Sequence, residues 1–104
     1  MTKRNRFSPD VRKSQIVAAA LTLAGIHGYG RVTRDQIAVA AGCSTGLVST
    51  FGTMTNLRRD IVRAAVQSQD LVVLGQALAA RDPHAQAAPD ELKRRALDAA
   101  LNAV

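Results

Sequence analysis

Apolar residues recur along this chain at intervals of three and four, and the interruptions carry the residue types that start and stop helices. The first run follows Ser8-Pro9-Asp10: a serine able to cap, a proline suited to the first turn, and an acid that complements the positive end of the helix dipole. Ile16, Ala19, Ala20 and Leu23 then form one stripe, which predicts a supporting helix to about His27, closed by Gly28-Tyr29-Gly30. No strand precedes these glycines and the P-loop lysine is missing, so they do not read as a nucleotide loop.

The second run is short. Thr33 with Gln36 three residues on makes a capping box, so a helix should begin at Arg34. Ile37, Ala40 and Ala41 share its apolar side, and the small Ala38 and Ala41 admit close approach of another helix. Gly42 suits the position just past a helix end, and Ser44 caps a new helix carrying Thr45, Gly46, Leu47, Ser49 and Thr50. Helix, tight turn, helix is the pattern of a helix-turn-helix unit, and small or hydroxylated side chains on its second helix can meet phosphates, base edges or thymine methyls. An ordinary helical hairpin inside a core is the competing reading.

Beyond a turn at Gly52, Thr53 and Asn56 offer another cap, opening a long helix near Met54 whose stripe includes Leu57, Ile61 and Ala64. The pattern runs on through Leu71, Val72, Leu74 and Leu78 to Arg81, with Gly75 as an expected bend. Asp82-Pro83 and Pro89-Asp90-Glu91 then open further helices, the last bearing Leu92, Ala96, Leu97, Ala100 and Leu101.

The expected fold is therefore all-α: a three-helix helix-turn-helix bundle followed by two or three C-terminal helices, forming one domain overall. Residues 1–7 form an arm, 8–53 the helix-turn-helix module and 54–104 the C-terminal helices. Leu71, Val72, Leu74, Leu78, Leu92, Leu97 and Leu101 look like more aliphatic surface than one monomer covers, which predicts a homodimer through these helices. A monomer whose C-terminal hairpin folds back on itself is the alternative.

Charge sharpens the picture. The chain has a net charge of +6, and residues 1–63 hold ten of its fourteen Lys and Arg but three of its eight acids. That asymmetry favours a polyanion on the helix-turn-helix half, through counterion release and long-range attraction, although a plain solvated surface would also show it. Lys3, Arg4 and Arg6 make the arm a candidate to follow a DNA backbone or enter a minor groove, an unengaged tail being the other reading.

At this point a family resemblance is specific. Ile16, Val17, Ala19, Ala20, Leu23, Gly28, Tyr29, Thr33, Ile37, Ala38, Ala41, Gly42, Ser44, Gly46, Val48, Phe51 and Leu57 stand in the order and nearly the spacing of the N-terminal domain of TetR-family transcriptional regulators. The chain resembles that family over roughly residues 10 to 65. The resemblance implies that Tyr29 packs beneath the DNA-binding helices; separately, its hydroxyl is a candidate to meet phosphate. Three departures stand out. The segment from Ser44 to Phe51 is one residue shorter than the family pattern; Ser49 and Met54 replace a tyrosine and a lysine that contact phosphate; and the chain stops at Val104, without the usual large ligand-binding domain. Arg58 is a candidate replacement for the lost lysine.

These observations predict a sequence-specific regulator of transcription that binds double-stranded DNA, a repressor acting as a homodimer on a palindromic operator. Thr45, Leu47, Ser49 and Thr50 would read bases, while Thr33, Arg34, Ser44, Gly46, Arg58 and the arm would hold the backbone. The alternative is a protein-interaction adaptor or antirepressor that keeps the fold without specific DNA binding.

No cofactor, metal or small-molecule effector is expected, and no enzyme activity. His27 and His84 are far apart, Cys43 is solitary and reads as a small core group, and no serine has an evident histidine and acid partner. With no long apolar run and no signal-peptide core, the expected location is the cytoplasm, at the nucleoid.

Overall fold

The computed structural model describes residues 8–102, and all of its regular structure there is helical. Seven helices follow one another: α1 (Pro9–His27), α2 (Arg34–Ala41), α3 (Thr45–Ser49), α4 (Met54–Ser68), α5 (Leu71–Ala79), α6 (Pro83–Gln86) and α7 (Asp90–Asn102). The arm residues Lys3, Arg4 and Arg6 lie outside the described residues.

The starts are where the capping residues placed them. Ser8 Oγ accepts from the Val11 N–H at 3.2 Å, with Pro9 in the first turn of α1. Thr33 and Gln36 close a reciprocal capping box at α2, and Thr53 and Asn56 do the same at α4. Ser44 Oγ accepts from the Leu47 N–H at 3.0 Å and starts α3.

The ends share a second device. After α2, Gly42 adopts φ +70°, its N–H reaches the Val39 carbonyl and the Cys43 N–H reaches back to Ala38. This pair of bonds satisfies carbonyls that the helix would otherwise leave open. The same pair ends α4, where the N–H groups of Gln69 and Asp70 reach Val66 and Ala65, and α5, where those of Arg81 and Asp82 reach Leu78 and Ala77. Gln69 and Arg81 take the left-handed role there, at φ 57° and 60°.

That device corrects the expected long helix to Arg81. The chain breaks at Gln69, not at Gly75, because Asp70 caps a new helix by accepting from the Val73 N–H at 3.1 Å. Gly75 lies buried within α5, where an added Cβ would stand 3.5 Å from the Ala96 carbonyl oxygen. Its role is close passage of α5 against α7, not a bend.

Two apolar clusters form the core. The first joins Ile16, Ala20 and Ala24 of α1 to Ile37 and Ala38 of α2, Val48 of α3, Leu57 and Ile61 of α4, and Val73 of α5. The second gathers Val62, Leu74, Ala77, Ala85, Ala88, Leu92 and Ala96. Tyr29 packs against both, and α4 contributes to both, so the clusters are continuous through that helix. In α2 the buried face is Ile37 and Ala38; Ala40, expected inside, is exposed.

The expected dimer surface changes in consequence. Leu74 is 0% exposed and Leu92 7%, because α5 and α7 pack on each other within one chain. Leu71 and Leu78 are partly buried against the same cluster. Within the chain the C-terminal helices fold back on one another, and of the seven proposed interface residues only Val72, Leu97 and Leu101 remain exposed.

Gly52 has the tightest surroundings of any glycine in the chain. At φ +130°, a Cβ would stand 3.0 Å from Asn56 Cβ and 3.1 Å from the Oδ1 that closes the α4 box. Gly52→Ala should therefore cost about 1 to 3 kcal/mol in backbone strain, with roughly 1 kcal/mol more if the cap opens. Urea unfolding of the two proteins checks this.

Candidate functional site

Local geometry first fixes how α3 sits beside α2. Thr45 Oγ1 donates to Asp35 Oδ1 at 2.9 Å, tying the first turn of one helix to the first turn of the other. From below, Val48 is fully buried against Ile37 and the α1 stripe. What remains outside is a surface of small groups: Ser44, Thr45, Gly46, Ser49 and Thr50 are all exposed, with Leu47 half-buried between them.

Hydrogen bonding divides the hydroxyls into two kinds. Those of Thr33 and Ser44 accept from backbone N–H groups at the helix starts, which leaves their protons free to donate. Those of Ser49 and Thr50 donate to the carbonyls of Thr45 and Leu47, at 3.2 and 2.6 Å, and that of Thr45 donates to Asp35. These three present lone pairs outward. Thr33 and Ser44 therefore suit anionic oxygens, and the other three suit amino groups.

Two residues that sequence reasoning passed over belong to this surface. Asp35 is exposed and adds a negative charge beside Thr45; Val39, one turn along the same face of α2, is 83% exposed. An acid in a first turn reads as a cap-and-dipole feature, and a lone valine reads as core, so neither stood out.

Arg34 and Arg58 are half-buried, and the Nε of each is shut off from solvent without a hydrogen-bond partner. Arg58 belongs to the first turns of α4. It lines a pocket of about 320 Å³ with Thr55, Asn56, Arg59, Asp82, Pro83 and His84.

Tyr29 is engaged internally. Its N–H donates to Gln76 Oε1 at 2.9 Å and its hydroxyl to Asp82 Oδ2 at 3.1 Å, joining the loop after α1 to α5 and α6. This corrects the expectation that the hydroxyl is available to phosphate. Burial raises the Tyr29 pKa above 10.0, the hydrogen bond to Asp82 and its charge add to that, and the Arg58 charge opposes it. A raised folded value means that the unfolded chain loses its proton first, so stability falls as pH climbs from 10 through the folded pKa. Tyr29→Phe should lack that increment of alkaline destabilisation, as chemical unfolding at neutral pH and above pH 10 would show.

Among the described residues no three His, Cys, Asp or Glu side chains group as a metal site, and no helix is long and apolar enough to cross a membrane. Cys43 is half-buried beside the first cluster. Comparison with family models, curated proteins and solved structures returned no match.

Proposed function

We propose that the chain is a TetR-like, sequence-specific regulator that binds double-stranded DNA through α2, its turn and α3 in helix-turn-helix fashion, acting as a repressor in the cytoplasm. The observation that carries this reading is the set of exposed small and hydroxylated residues Ser44, Thr45, Gly46, Ser49 and Thr50 on a helix seated on the core through Val48. Gly46 adds to it. Apart from its chain neighbours and its own helix's backbone, nothing comes nearer than 3.9 Å to the place a Cβ would occupy, so packing does not require glycine there. A glycine in a helix costs about 1 kcal/mol relative to alanine, and close approach of a sugar-phosphate backbone supplies a reason for it.

On this reading Thr33 and Ser44 donate to phosphates and Arg34 adds charge. Thr45, Ser49 and Thr50 accept from base amino groups, and Leu47 and Val39 meet thymine methyls. The arm residues Lys3, Arg4 and Arg6 would strengthen binding without selecting sequence. The chain has no catalytic step in this role.

Asp35 favours a second reading. A carboxylate on the contact surface repels phosphate, which suits an adaptor or antirepressor that recognises a protein. Selection of genomic DNA fragments by the full chain separates the two: a reproducible palindromic site supports the regulator, and no enrichment even at low salt supports the adaptor.

A variant series then assigns roles. Thr45→Ala and Thr50→Ala should each weaken the preferred site by roughly 1 to 3 kcal/mol while leaving non-specific binding nearly unchanged. Equal losses on every sequence would move them to backbone contacts.

A further inference from the structure

The pocket between the first two turns of α4 and the start of α6 holds a charge imbalance centred on Arg58. Its cations are Arg58 and Arg59, with His84 on the α6 side. Arg59 has a counter-ion: its Nε lies 3.5 Å from Asp60 Oδ1, and the other oxygen of Asp60 is 3.2 Å from Lys13. Asp82, the only acid lining the pocket, is also committed. Its Oδ1 accepts from the N–H groups of His84 and Ala85 at 2.8 and 3.3 Å, and its Oδ2 accepts from Tyr29.

Arg58 is left over. It makes no ion pair among the described residues; its Nε is shut off from solvent, as are those of Arg34 and Arg59, so a ligand would meet its terminal nitrogens. A guanidinium without a counter-ion at the edge of a pocket gains charge-assisted hydrogen bonds from an acceptor bearing negative charge. The first turn of α4 contributes in the same direction. Its capping box occupies the Asn56 N–H but not the Thr55 N–H, and Thr55 lines the pocket.

We propose that this pocket binds a phosphate group, gripped by the Arg58 guanidinium and flanked by Arg59, Thr55 and His84. A tetrahedral oxyanion offers a planar fork two acceptors at once and still has oxygens for the helix start, whereas a carboxylate spends both on the fork. The group belongs either to a small phosphorylated molecule or to a nucleic-acid backbone.

The chain carries one tyrosine and no tryptophan, so its intrinsic emission reports Tyr29 alone, and Tyr29 is hydrogen-bonded to the pocket residue Asp82. The test titrates the full chain with inorganic phosphate at ionic strength held constant with chloride, following Tyr29 emission and the amide resonances of Thr55, Asn56 and His84. A saturable response at all of these is expected. Arg58→Gln should abolish it, while Arg94→Gln on the exposed face of α7 should leave it unchanged. Should Arg58→Gln fail to fold, Arg58→Lys, which keeps the charge and loses the fork, should weaken phosphate at least severalfold. A response that merely tracks ionic strength, or one that survives in Arg58→Gln or Arg58→Lys undiminished, overturns the proposal.

Adding a short duplex distinguishes the sources. If saturating duplex removes the phosphate response, the pocket takes a backbone phosphate; if the response persists, it takes a small phosphorylated molecule. Failure of the duplex to bind at all would defeat the DNA reading and leave the phosphate titration to decide the pocket on its own.

Discussion

Leu74→Ala should lower the free energy of unfolding by about 2 to 5 kcal/mol, and by the same amount at every protein concentration. Leu74 is fully buried in the second cluster, and the side chains around it, Val62, Ala77, Leu92 and Ala96 among them, come from its own chain. Truncating it removes contacts and leaves a void between α5 and α7, whose close passage at Gly75 gives the backbone little freedom to collapse inward. Domains of this size hold roughly 5 to 15 kcal/mol in total, so the loss is a large share of stability. Val72→Ala is the control. At 59% exposed, Val72 should change stability by no more than about 0.5 kcal/mol. A Leu74 effect that shrank on dilution would instead mean that the residue is covered by a second subunit.

The consequence reaches the α2–α3 surface. Leu57 and Ile61 of α4 face the first cluster while Val62 faces the second, so one helix carries the load of both. Tyr29 spans the same boundary through Gln76 and Asp82. Loosening the C-terminal hairpin should therefore also loosen the seat on which α3 rests.

Helix starts were legible from residue type because their chemistry is local: Ser8, Thr33, Ser44 and Thr53 each satisfy the N–H three residues on, whatever the rest of the chain does. The break at Gln69 was not legible. A glutamine in the left-handed region carries no composition signal, and Gly75 was the more conspicuous candidate until the approach of α7 showed why it is there. The same limit applies to Leu74 and Leu92. A stripe of leucines says that a face must be covered, and only the tertiary fold shows that the cover is α7 against α5. At the candidate site the hydroxyl-rich run could be read directly. The direction in which each hydroxyl spends its proton, and the intrusion of Asp35, depend on how α3 lies across α2.

The remaining apolar surface leads to the second large effect, which rests on the proposed DNA-binding role. Leu97 and Leu101 are one turn apart on α7 and are 51% and 74% exposed, so they share an uncovered stripe at the far end of the chain from α1. Two copies joined there would form a two-fold particle able to set its α3 helices in successive major grooves, about 34 to 36 Å apart. Joining two half-site binders makes the second engagement intramolecular, which raises affinity by roughly 10² to 10⁴ without new kinds of contact. Leu97→Asp combined with Leu101→Asp should then give a folded monomer, since neither side chain supports the core, with palindrome affinity lower by that factor and half-site affinity intact. Sedimentation at micromolar protein, run beside titrations of full and half sites, measures both. A wild-type chain that sediments as a monomer yet binds the full palindrome as tightly as a linked pair would sink the dimer, and the source of tight binding would then have to be found in the arm and in α2–α3 alone.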